Sequence, residues 1–215
     1  FMHVGYLNIN NQKMSKSLGN FFTVRDILKD YNPEVLRFFM LSSHYRSPIN
    51  FSRKMMDQAK SSMERFYNAL YNMEYLEEIA DEKPLSQKEE NYKNEQQRNS
   101  KRFIQAMDDD FNTADAISAL FDIVRAFNTD VNEDFSKQTI CFTKDLLLSL
   151  GQVLGLFREF ADKSMLDEEI EQKIKERQEA RQARNFELAD KIRDELMKKG
   201  IVLEDTSTGV RWKRK

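Results

Sequence analysis

MMDQAKSSMERFYNALYNM, residues 55–73, sets Met56, Ala59, Met63, Phe66, Leu70 and Met73 three and four residues apart. That is the step of one face of an α-helix. The same step returns at Ile117, Leu120, Val124, Phe127 and Val131, and again at Leu147, Leu150, Leu154 and Phe157. Such stripes are buried only against one another, so three or more long helices are expected to pack as a bundle. The seams share a period but no sequence, and no internal repeat is visible. Between the first two lies Asp81 to Ser100, with one proline and many Glu, Asn, Gln and Lys residues. It lacks an apolar stripe and is expected to be an exposed linker or mobile helix extension of weak order.

The N-terminal side changes period. Tyr6-Leu7-Asn8-Ile9 reads as a strand, Asn8 to Gln12 as a polar turn, Lys13 to Asn20 as a loop, and two short helices follow. Thr23 with Asp26 three residues on makes a capping box, and Asn32-Pro33 places an N-cap before a first-turn proline. On the C-terminal side, Glu168 to Ala183 and Phe186 to Lys199 read as helices, and Gly200 as a helix stop. Ile201 to Leu203 and Val210 to Lys213 are expected as short strands flanking the turn Thr206-Ser207-Thr208-Gly209. This tail is a small α+β unit.

A chain of 215 residues, 40% hydrophobic, can bury a substantial core. No run approaches the roughly 18 apolar residues of a membrane span, and the start lacks the pattern of a signal peptide, so a cytosolic location is expected. The chain begins with Phe1 rather than Met, and a strand arriving from upstream suggests a fragment. Charge is unevenly spread. Residues 1–58 hold 8 Lys and Arg against 4 Asp and Glu, residues 59–169 hold 13 against 23, and residues 170–215 hold 13 against 9. A polyanion would favour the basic ends, with a solvated charged surface as the plain alternative. One cysteine, Cys141, and two histidines, His3 and His44, offer no internal disulfide and no local zinc cage. Cys141 is expected as a small buried hydrophobe.

The sharpest string is Lys13-Met14-Ser15-Lys16-Ser17, followed by Leu18-Gly19-Asn20. Five specified residues arise by chance about 10⁻⁴ of the time in a chain this long, which sets the string above looser motifs. Two flexible ammonium groups suit charge that develops on a phosphate and a departing pyrophosphate. The two hydroxyls can hold the loop or donate to phosphate, and Gly19 permits a hinge. A solvated basic turn is the plain alternative.

This string resembles the KMSKS signature of class I aminoacyl-tRNA synthetases. Over nearly the whole chain the resemblance is to the cysteinyl branch: Met2-His3 with Gly5, KMSKSLGNFFTVRDIL, PEVLRFFMLSSHYRSPINFS from Pro33, MDDDFNTADAISALF from Met107, and GIVLEDTSTGVRWKRK from Gly200. The resemblance implies that Lys13 to Ser17 form the ATP-binding activation loop, with Lys13 and Lys16 as the catalytic cations and Mg²⁺ accompanying the ATP. It implies further that the following helices touch the inside of the tRNA, and that cysteine and tRNA-Cys are the other substrates. The family's His-Ile-Gly-His signature and its zinc ligands lie upstream and are absent here. Zinc is therefore expected outside this chain, and these residues alone are expected not to make Cys-tRNA without the N-terminal catalytic half.

Asp108-Asp109-Asp110 could suggest a hard cation. Consecutive residues diverge, however, and Asn112 or Thr113 precedes a helical run, so capping or packing is expected. His44 either donates to a phosphate beside Arg46 or is structural. In the tail, Arg181, Arg184, Phe186, Asp190, Asp205, Arg211 and Trp212 supply rings for stacking, cations, and acceptors for base edges. Equally, Phe186 and Trp212 could fill a core and Asp190 could pair with a lysine along its helix. The resemblance favours anticodon binding by Arg181, Phe186, Asp190, Asp205 and Trp212.

The expected architecture is mostly α. Residues 1–47 end a Rossmann-like catalytic domain, 48–166 form a helical bundle, and 167–215 form the α+β anticodon-binding unit. The rival functions are a ligase joining cysteine to an amino sugar in mycothiol synthesis, which needs no anticodon reader, and a non-enzymatic RNA-binding or scaffold module.

Overall fold

The structure is a computed structural model that describes residues 1–10, 12–15, 17, 23–158, 160, 172–181, 185–198, 201–206 and 209–214. For Lys198, Val202, 204–206 and 209–214 it describes the backbone alone. Two compact units form, Phe1–Arg158 and Glu159–Lys215. Helices dominate both.

Six helices described in the first unit start on a side chain that accepts a first-turn N–H, as an unsatisfied helix N-terminus requires. Thr23 and Asp26 cap α1 (Val24–Ile27) reciprocally, and Asn32 caps α2 (Pro33–Leu41) ahead of Pro33. Ser52 caps α3 (Arg53–Ile79), Ser86 caps α4 (Gln87–Asp108), Asn112 caps α5 (Thr113–Asp130) and Ser136 caps α6 (Lys137–Val153). Ahead of these helices, β1 (Leu7–Ile9) pairs antiparallel with β2 (Gln12–Lys13) and parallel with β3 (Ile49–Phe51). The parallel pair needs a crossover, and α1 and α2 provide it.

All six seam residues of α3 are buried, as are Ile117, Leu120, Val124 and Phe127 of α5 and Leu147, Leu150, Leu154 and Phe157 at the end of α6. Phe66 of α3 is the hub. Its ring stacks on Phe121 at 4.2 Å, tilts against Phe157 at 5.3 Å and meets Phe38 of α2 edge-on at 6.3 Å. Glu34 of α2 joins the same corner. Its carboxylate accepts from Tyr67 Oη (2.7 Å) and from the backbone N–H groups of Phe157 (3.1 Å) and Arg158 (2.6 Å). Phe157 has a positive φ of 66°. A Cβ on Gly151 would fall 2.2 Å from its ring, so this close approach needs glycine.

The expectation of weak order over 81–100 is corrected: α4 covers most of that stretch. Its inward face is Glu89, Tyr92, Gln96, Asn99 and Phe103, stepping by three and four residues like the apolar seams but written mainly in polar side chains. A buried carboxylate is costly unless fully bonded, and Glu89 is. Ser86 N and Oγ donate to its Oε2, while Ser136 N (2.6 Å), Ser136 Oγ (2.5 Å) and Thr139 Oγ1 (3.1 Å) donate to Oε1. Burial pushes its pKa up, but the hydrogen bonds from Ser136 and Ser86 outweigh that and hold it down at about 2. One side chain thus fastens the starts of α4 and α6 together.

In the second unit, α7 (172–181) and α8 (Phe186–Lys198) precede an antiparallel hairpin of β4 (Ile201–Thr206) and β5 (Gly209–Arg214). Ile174, Ile192, Leu196 and Ile201 form its core, with Leu203 packed against them. Asn185 starts α8, its Oδ1 accepting from Leu188 N at 3.2 Å. The strands run longer than their apolar residues suggest. Gly200, Ser207 and Thr208 lie outside the described residues.

Candidate active-site hairpin and tail

The β1–β2 hairpin sets Asn8 opposite Lys13 and Ile9 opposite Gln12, and Asn10 turns the chain with φ 49°. Lys13, expected in a loop, is therefore a strand residue. It is exposed, and its ammonium lies 4.9 Å above the Tyr6 ring in a cation–π contact. Met14 and Ser15 follow half-buried, and Ser15 Oγ lies 2.7 Å from Ser17 Oγ. Lys16 and Gly19 lie outside the described residues. Lys13, Ser15 and Ser17 thus lie within one short run of chain, an arrangement suited to an extended polyphosphate.

The strand before the hairpin is held at its root. Gly5 N donates to Tyr45 O (2.7 Å) and Ile49 N to Tyr6 O (2.9 Å). A Cβ on Gly5 would lie 2.3 Å from Ser47 O, so only glycine permits this approach. Tyr45 also belongs to a polar cluster that sequence reasoning missed. Its hydroxyl donates to Asp110 Oδ1 (2.7 Å) and accepts from Arg46 Nε (3.0 Å), while Arg46 pairs with Asp110 Oδ2 at 3.0 Å. The bond to Tyr45 and the charge of Asp110 raise the Arg46 pKa above its ordinary value. His44 stacks on Tyr45 at 4.8 Å, with Nε2 3.7 Å from Asp110. Of its two expected roles, this geometry is the structural one. His3 lies exposed in the N-terminal segment, which is neither helix nor strand.

The aspartate run is divided in the way capping and packing imply. Asn112 Oδ1 accepts from Asp115 N to start α5, and Asp110 turns to the ion pair with Arg46. Among the described residues no three His, Cys, Asp or Glu side chains form a group fit to hold a metal ion. Cys141 departs from its expected place in an apolar core. It is part-exposed, its thiol donating to Glu77 Oε1 at 3.2 Å, and burial and Glu77 raise its pKa. A thiol held protonated is a poor nucleophile.

In the tail, Phe186 is 60% exposed at the start of α8, so it does not fill the core. Asp190, one turn on, pairs with Arg193 at 3.3 Å rather than with a lysine. Phe186, Asp190 and Arg193 follow i, i+4, i+7 and share one helix face. Arg193 was not picked out from the sequence, although its spacing from Asp190 is that of a helical ion pair. Arg181 is exposed near the end of α7. For Asp205 and Trp212 only the register is described: Asp205 opposes Val210 and Trp212 opposes Leu203. Arg184 lies outside the described residues, and the side chain of Arg211 is not described.

Three family models match consecutive segments. Residues 1–61 match the class I (C) tRNA synthetase catalytic domain, 102–158 the DALR domain, and 164–212 the cysteinyl-tRNA ligase anticodon-binding domain. A solved structure from Agrobacterium radiobacter, described as a LeuRS–tRNA–LeuAMS ternary complex, is similar in fold. It has a TM-score of 0.60 and 19% identity over 69% of this chain and 20% of that one. The chain spans about one fifth of the length of that protein. A strand leading into KMSKS, helices crossing back to a parallel strand, and a helical domain beyond define the class as class I aminoacyl-tRNA synthetase. Within that class, the catalytic-domain match and the ligase-specific anticodon domain mark the chain as the C-terminal portion of a cysteinyl-tRNA synthetase.

Proposed function

We propose that the protein carrying this chain is a cysteine–tRNA ligase, activating cysteine with ATP and transferring it to tRNA-Cys. The observation that supports this most is the pairing, on one chain, of the KMSKS string, which begins on the second strand of a hairpin, with a match to the cysteinyl-tRNA ligase anticodon-binding domain at 164–212. In this reading Lys13 and Lys16 follow the negative charge that builds on the α-phosphate and on pyrophosphate, with Mg²⁺ accompanying the nucleotide. Met14, Ser15 and Ser17 complete the ATP contact. Arg181, Phe186, Asp190, Asp205 and Trp212 contact the anticodon, and exposed Phe186 supplies a face on which a splayed base stacks. The zinc of such enzymes selects cysteine through ligands outside this chain, and no step on these residues passes through it.

The test is ATP–pyrophosphate exchange by the protein with its complete catalytic domain, amino acid by amino acid. Exchange that depends on cysteine and not on serine is expected, followed by esterification of tRNA-Cys. Cysteine-dependent exchange with no transfer to tRNA would point instead to the amino-sugar ligase.

A further inference from the structure

We infer that Asp110, at the bundle corner between α4 and α5, is a positioning residue for the Lys13 hairpin, acting through Tyr45. The inference rests on the proposed reaction for its functional consequence, but its geometry is independent of it.

Tyr45 faces two ways. Its side chain is fixed by Asp110, through the hydroxyl at 2.7 Å and through Arg46, which bonds both groups. Its backbone carbonyl accepts Gly5 N–H at 2.7 Å, and the same turn presses Ser47 against Gly5 so closely that no side chain fits. Gly5 immediately precedes Tyr6, whose carbonyl is bound by Ile49 N and whose ring lies beneath the Lys13 ammonium. The path from carboxylate to reactive cation therefore has three links, Asp110 to Tyr45, Tyr45 to Gly5, and Tyr6 to Lys13. The first two links are hydrogen bonds of 2.7 Å, and the third is a cation–π contact at 4.9 Å.

The corner itself is specified rather than incidental. Asp110 and Phe111 adopt φ 55° and 54°, consecutive left-handed conformations that cost non-glycine residues energy, and Phe111 is 55% exposed. Burial of Phe111 does not fix this conformation. Backbone hydrogen bonds from Phe111 N to Met107 O (3.1 Å) and from Asn112 N to Ala106 O (3.0 Å) close the end of α4 there, Asp110 is tied to Tyr45 and Arg46, and Thr113 Oγ1 donates to Leu41 O (2.7 Å) at the end of α2. A left-handed pair at this corner aims the Asp110 carboxylate at the 42–47 turn while Thr113 fastens the same turn's entry. The bundle thereby sets the depth of the strand that presents Lys13.

The experiment compares Asp110→Gly, which keeps the left-handed backbone unstrained, Tyr45→Phe, which removes only the hydroxyl, and Asp110→Asn, which keeps an acceptor for it. Each is made in the complete protein. Amide hydrogen exchange at Gly5 to Ile9 and the ATP–pyrophosphate exchange kcat and KM for ATP are measured. Expected are exchange at Gly5 about tenfold faster in Asp110→Gly and Tyr45→Phe, and kcat lowered about tenfold. Tm should stay within a few degrees, and Asp110→Asn should recover most of both losses. If Asp110→Gly fails to fold, Tyr45→Phe decides alone. Unchanged protection at Gly5 overturns the inference whatever the activity, and so does lost protection with unchanged kcat. If the wild-type protein shows no exchange reaction with any amino acid, the proposed function fails and the Gly5 protection alone decides the inference.

Discussion

In the proposed reaction Lys13 and Lys16 share one role, meeting charge that develops on ATP. Lys13 is held on a strand over Tyr6, and Lys16 is the fourth residue of the KMSKS string. Charge that appears chiefly in the transition state is met by catalysis rather than by ground-state binding. Lys16→Ala in the complete protein should therefore slow adenylate formation by about 10² or more and leave tRNA affinity within a few-fold. Single-turnover activation measures this, and an unchanged rate removes Lys16 from the chemistry. Gly5 tests the scaffold beneath. Gly5→Ala drives a Cβ into the Ser47 backbone and should cost about 1–3 kcal/mol in urea unfolding, because backbone cannot move aside as a side-chain tip can. Local spacing made the KMSKS string and the caps at Thr23 and Asn32 legible in the sequence. Asp110 and Tyr45 are 65 residues apart, and no local pattern announces such a pair.

Helices written in apolar residues announce themselves, and α3, α5 and α6 did so through Phe66, Ile117 and Leu147. Helix α4 has the same inward period but buries Glu89, Gln96 and Asn99, so hydropathy reads it as solvent-facing. Its capping box, Ser86 with Glu89, was the available signal, and Glu89 serves both that box and the start of α6. The linkage has a definite sign. Glu89 falls from an ordinary 4.5 to about 2 on folding, so its contribution is fully present above about pH 4.5 and is lost as pH falls toward 2. A difference of that size corresponds to about 3 kcal/mol. Glu89→Gln should be destabilised by about that amount at pH 7, and the gap from wild type should close between pH 5 and 2.5 in denaturant titrations. A gap independent of pH would mean that Glu89 acts by shape rather than charge.

Over the molecule, charge divides as chemistry would ask of an RNA ligand. Both ends are basic, at +4 for residues 1–58 and +4 for 170–215, and the middle is acidic at −10. The family models support class and branch and the fold supports the class, while in the proposed function the choice of tRNA falls to side chains in the tail. A carboxylate reading bases and a cation holding phosphate fail differently there. Asp190→Ala or Asp205→Ala should cost about 1–3 kcal/mol for tRNA with a GCA anticodon and relax discrimination against an altered one. Lys213→Ala or Arg214→Ala should weaken both RNAs equally and flatten the salt dependence. The most direct measurement is the affinity of the wild-type protein and these variants, shown folded by circular dichroism, for paired GCA and altered-anticodon tRNAs at two salt concentrations. Preference for GCA that falls in the aspartate variants and persists in the Lys213 and Arg214 variants is the predicted result. Equal affinity of the wild-type protein for both tRNAs, or full discrimination in both folded aspartate variants, would contradict base reading by this tail.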